Sequence, residues 1–139
     1  MKISCGRRIR FRGKRVDTGE WMHGGVFTDA CGDVYIVANE EEVHDYPLLA
    51  KLYKVPYKVD PQTVGQWISL KDKHGKDIYE GDILGGIVGH GVVVWMVERA
   101  GFGIDCDGEL HEVYPHELSQ DELEVTGNIH ELLEGLHVD

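Results

Sequence analysis

A mainly β chain with minor α is predicted, with a small antiparallel β region over residues 1–59 and a compact antiparallel barrel or sandwich over residues 60–139. Three observations carry that reading. Glycine is abundant, at 18 residues against 4 prolines, which suits many tight turns and not a proline-rich linker. Turn signals recur at Asp72 to Gly75, Glu80 to Asp82, Gly89 to Gly91, Glu98 to Gly101 and Asp107-Gly108, with apolar β-formers between them. Several short stretches alternate apolar with polar residues, the period of a half-buried strand.

In chain order, Ile9-Arg10-Phe11-Arg12 alternates apolar with basic and reads as a strand exposing its arginines on one face. Val16 to Glu20 is turn-like, and Trp21 to Phe27 continues as a second strand in which Gly24-Gly25 marks a bulge. Asp33 to Ala38 is a third. Within Glu40 to Tyr53, Val43, Tyr46, Leu49 or Ala50, and Tyr53 recur at helical spacing, and Pro47 leaves only a short helix on either side. Tyr57 to Pro61 reads as the join between two halves, because the residue before a proline is driven to an extended conformation. A soft boundary is placed near Asp60.

The run from Leu70 to Ile83 holds two turns. Asp72-Lys73-His74-Gly75 puts a turn starter first and a glycine fourth, where the backbone must accept positive φ, and Glu80-Gly81-Asp82 turns the chain again. Val92 to Val97 is apolar on both faces, as expected of a central strand covered on each side with Trp95 buried. A two-residue hairpin at Asp107-Gly108 would pair Ile104 with His111 and Phe102 with Val113, and place Asp105 on the face of Leu110. Those mixed faces imply a bulge or an edge position. Leu123 to Thr126 is a closing strand, and Asn128 caps a helix over Ile129 to Leu136.

At 139 residues the chain fits one domain or two very small ones, and its 42% apolar and 28% charged residues are ordinary globular values. The net charge of −11 conceals an asymmetry. Lys2, Arg7, Arg8, Arg10, Arg12, Lys14 and Arg15 supply half of the 14 basic residues before the first acid, Asp17, while Glu98 to Asp139 holds 12 acids and the single base Arg99. Attraction between the two ends, within a molecule or between subunits, is favoured over nucleic-acid contact through Arg8, Arg10 and Arg12. Cys5, Cys31 and Cys106 form no metal-ligand or disulfide spacing, which suits a reducing compartment such as the cytoplasm. No apolar run approaches the roughly 20 residues of a membrane span.

The candidate chemistry is thin. His111 and His116 flank Pro115 and stand five apart, so they do not share a helical face as a metalloprotease pair must. His130-Glu131-Leu132-Leu133-Glu134 keeps helical spacing but offers no third ligand. The glycine-rich run Gly85 to Gly91 leads into a valine-rich strand and not into the helix a phosphate cradle requires. Ser4, Ser69 and Ser119 lie in no nucleophile pattern. No catalytic, cofactor-binding or metal residue is therefore assigned, and a non-enzyme with no cofactor is expected. Among the large aromatics, Trp67 and Tyr79 are the candidates for an exposed, partner-binding edge.

Several motifs together resemble the YopX-like family of bacteriophages and prophages. They are Ile9-Arg10-Phe11-Arg12-Gly13-Lys14, Gly19-Glu20-Trp21-Met22-His23-Gly24, Val59-Asp60-Pro61-Gln62-Thr63-Val64-Gly65-Gln66 and the whole of Leu70 to Ile83, followed by Val94-Trp95, Gly101-Phe102 and Leu123 to Ile129. The resemblance implies a β-rich protein of the bacterial host cell whose carboxy-terminal half is an SH3-like barrel entered through Glu80-Gly81-Asp82-Ile83. It brings no activity and no site residues. Gly85-Gly86 and His130-Glu131-Leu132-Leu133 depart from the family pattern, so the final helix is expected to differ. A protein-interaction module that forms a homo-oligomer and binds a host or phage protein is the expected function. The alternative is a nucleic-acid-binding protein or an enzyme using the basic amino-terminal strand and the histidines.

Overall fold

The computed structural model describes residues 9–38, 55–86, 91–112 and 122–131. Arg8, the helical window at 40–53, the turn at Gly89 to Gly91 apart from Gly91 itself, Val113, His116 and the helix beyond Glu131 lie outside the described residues. The chain is mainly β and divides into two compact units, Met1–Gln66 and Trp67–Asp139.

In the first unit, β1 (Phe11–Lys14), β2 (Trp21–Thr28), β3 (Val34–Ala38) and β4 (Pro56–Val59) pair in sequence order, each antiparallel to the next. The β1–β2 turn closes where the Arg15 amide donates to the Glu20 carbonyl at 2.9 Å, and Gly19 takes a φ of 75°. The fourth strand then curls back to the chain that continues β1. Arg15 bridges Val59, the Val16 amide donates to Lys58 at 3.1 Å, and the Asp60 amide donates to Lys14 at 2.8 Å. This curl encloses Met22, Ile36 and Val59 as the core. Gly13 lies against it, where a Cβ would stand 3.1 Å from Ile36 Cδ1.

Two expectations change in this unit. Gly24 and Gly25 sit in regular register with Ala38 and Val37, so they mark no bulge. A Cβ at Gly24 would fall 1.9 Å from the Val37 carbonyl oxygen, so the glycine permits close approach of β3. Asp60, expected near the join, is stitched into the unit instead. Its carboxylate caps the short 3-10 turn Pro61–Thr63 through the Gln62 amide at 3.0 Å, and Thr63 Oγ1 accepts from the Lys14 amide at 2.9 Å. The chain leaves the unit through β5 (Gly65–Lys71), whose first two residues pair with β1.

In the second unit the rest of β5 forms a hairpin with β6 (Asp77–Tyr79), matching Trp67 to Tyr79 and Lys71 to Asp77. There follow β7 (Asp82–Gly85), β8 (Gly91–Met96), β9 (Gly101–Cys106), β10 (Glu109–Glu112) and β11 (Glu124–Asn128). They form one antiparallel sheet in the order β10-β9-β8-β7-β11. Ile78, Leu84, Val93, Ile104 and Leu123 make its core. Strands β10 and β11 stand at opposite ends, and among the described residues no pairing closes the sheet into a barrel.

Both turns in the Leu70 to Ile83 run form. Gly75 takes a φ of 79° and Gly81 of 92°, as a glycine can at no steric cost. Strand β8 is central, but the cover on one face stops short of its end: Val93 is buried, whereas Trp95 is 47% exposed and Val97, beyond the strand end, 82% exposed. Trp95 points to the same side as Val93 yet sits one pleat further on, past the packed centre, where its ring meets Phe102 edge-on at 5.1 Å. The Asp107-Gly108 hairpin has the expected register, with Ile104 opposite His111 and Asp105 opposite Leu110. Both turn residues take positive φ, 53° and 91°, as a two-residue hairpin of this twist demands. The pairing is regular, and β10 is an edge strand. Asn128 Oδ1 accepts from the amides of His130 and Glu131 at 3.1 and 3.0 Å, the expected helix cap.

Candidate functional site

Two acids of the Leu70 to Ile83 run, Asp72 and Asp82, are committed to the fold. Asp72 is 6% exposed; its Oδ1 accepts from the amides of His74 and Lys76 at 2.8 and 2.9 Å, and its Oδ2 from the amide of Val125 at 3.0 Å. Burial pushes its carboxyl up, but the three amides outweigh burial and hold it below the usual value. Asp82 is 1% exposed and accepts from the Tyr79 amide at 2.7 Å, bracing the second turn. A carboxylate locked by amides is a poor proton shuttle. Around the first turn, His74 Nε2 lies 3.2 Å and Lys73 Nζ 3.6 Å from Glu124, in exposed pairs.

The basic strand does not present a cationic face. Register sets Lys14 opposite Trp21 and Arg12 opposite His23, so both cations lie over the same indole, Arg12 Cζ at 4.7 Å and Lys14 Nζ at 5.4 Å from its centroid. Arg12 is buried, contrary to the expected exposure, and so is Lys14: the cation–aromatic attraction and the covering of their aliphatic stems hold them inward. Arg10 is half-buried. Arg15 makes two hydrogen bonds to Asp17, at 2.9 and 2.7 Å, and its guanidinium stands 4.4 Å from the Tyr57 ring centroid. The hydrogen bond from Arg15 holds the Asp17 carboxyl below its ordinary value.

Trp67 and Tyr79 are brought together as cross-strand neighbours, but they are not an exposed edge. Tyr79 is buried at 4%, and half-buried Trp67 donates from Nε1 to the Leu70 carbonyl at 3.1 Å. Among the described residues of the second unit, the solvent-facing large apolar groups are Trp95, whose partner Phe102 is half-buried, Val97, and Leu110, which is 59% exposed on β10. The signal for Trp95 was its place at the end of the valine run, next to the turn at Glu98 to Gly101. Near Leu110 the surface is acidic: burial pushes the Cys106 thiol up, and Asp105, Asp107 and Glu109 push it further. In the first unit Phe27 is 45% exposed and stacks on Tyr35 at 5.3 Å. Partial burial and then the nearby Asp29 raise the Tyr35 hydroxyl.

His111 lies on strand β10 and not on a helix. Among the described residues no three metal-ligating side chains converge, and no helix is long and apolar enough to cross a membrane. No curated protein matches the chain. A family model described as YopX protein matches residues 10–136, a span that takes in both sheets and the whole Leu70 to Ile83 run. The chain therefore belongs to the YopX protein family.

Proposed function

We propose that this chain is a phage-encoded, non-enzymatic protein-interaction module that self-associates in the cytoplasm of a bacterial host and there binds a host or phage protein. The supporting observation is the contrast within the second unit between the polar and the apolar side chains. Its two buried aspartates are held by backbone amides, while Trp95, Val97 and Leu110 face solvent at 47, 82 and 59%. An exposed aromatic at the end of the central strand, with a further exposed apolar side chain on the edge strand, is suited to recognition of another chain. An SH3-like closure of this unit is part of the proposal. Nucleic-acid binding loses weight because Arg12 and Lys14 are turned onto Trp21.

Light scattering across micromolar concentrations tests self-association, and a mass above the monomer that rises with concentration supports it. A monomer at every concentration overturns it.

A further inference from the structure

We propose that the outer edge of β10 receives the basic segment Met1 to Arg8 of a second copy, an inference that rests on the self-association proposed above. Strand β10 ends its sheet, with β9 on its inner side, and among the described residues none pairs with its outer side. Such an edge offers backbone donors and acceptors to an extended chain. The strand also presents Leu110, 59% exposed, with Asp107 and Glu109 exposed beside it.

Charge selects the occupant. Two β10 edges paired antiparallel would set position Glu109 of each copy opposite Glu112 of the other, a like-charge arrangement that disfavours symmetric edge pairing. The complementary sign lies in the same chain: Lys2, Arg7 and Arg8 carry no acid among them. Lys2-Ile3-Ser4-Cys5 also alternates polar with apolar, the strand period, so an added strand would set Ile3 and Cys5 to one side for Leu110. The contact joins two different surfaces, so copies link head to tail into a ring or a filament.

The test is light scattering on the full chain at low and high salt, beside three variants. They are deletion of residues 2–8, Asp107→Asn with Glu109→Lys, and that pair combined with Arg7→Glu and Arg8→Glu. Asn is chosen at position 107 because it tolerates the positive φ there. The expected result is assembly at low salt that weakens by about tenfold in the first two variants and recovers in the third, with melting temperatures unchanged. Assembly indifferent to all three variants overturns this docking while self-association stands. A monomer throughout overturns both.

Discussion

The carboxylate of Asp72 accepts a hydrogen bond from the backbone amide of Val125 at 3.0 Å, across 53 positions of sequence. The same side chain closes its own turn through His74 and Lys76. One residue thus fixes the β5–β6 hairpin and ties it to β11.

Replacing Asp72 with Ala leaves three amides without their acceptor. The expected loss is about 3 kcal/mol of unfolding free energy. Asp72→Asn keeps one carbonyl oxygen and loses about half as much. Urea denaturation at neutral pH measures both, and an Asp72→Ala protein as stable as the parent removes the latch reading.

Acid acts on the same group with a definite sign. The folded state holds the Asp72 carboxyl below its ordinary value, so on acidification the unfolded chain takes up the proton first. Its contribution is complete above the unfolded value, near 3.8, and is lost as pH falls through the lower folded value. Comparing the parent with Asp72→Asn from pH 6 down to pH 2, the stability gap between them is expected to shrink.

Gly24 and Gly25 adjoin in sequence and differ in consequence. Gly24→Ala would drive a methyl into the Val37 carbonyl, while nothing stands within 4 Å of a Cβ at Gly25. Gly24→Ala is expected to cost about 3 kcal/mol. Gly25→Ala should be neutral or stabilising by about 0.5 kcal/mol. Thermal melts of the two variants distinguish them directly.

Trp95 and Ile104 test where the core ends. Trp95→Ser removes an exposed ring and its edge contact with Phe102, an expected loss of about 1 kcal/mol. Ile104→Ala opens a cavity in the packed centre and should cost about 3 kcal/mol. A Trp95 variant destabilised as much as the Ile104 variant would place the indole in the core after all.

Much of the second unit was legible because its turns carry their own chemistry. Asp107-Gly108 and Asp72 to Gly75 set hairpin register locally, and Asn128 marks its cap by residue type alone. Strand β4 was hidden because Pro56 and Lys58 break the usual pattern, and its partners are distant residues of β3 and Arg15. The inward turn of Arg12 and Lys14 was hidden for a related reason. Alternation shows that two faces differ, but only cross-strand register reveals that Trp21 occupies the basic one. Trp95 misled because hydropathy of a run says nothing about how far the packed centre extends along it.

The curl of the first unit and the latch of the second also set the order in which a growing chain can fold. Every described pairing of the first unit lies within residues 11–66, so it can be complete while the ribosome is still making the second. The second unit must wait, because β7 has its outer neighbour, and Asp72 its third amide, only once Val125 has emerged. A chain cut short before Glu124 would keep its first sheet and expose an unpaired β7, a nascent edge open to aggregation.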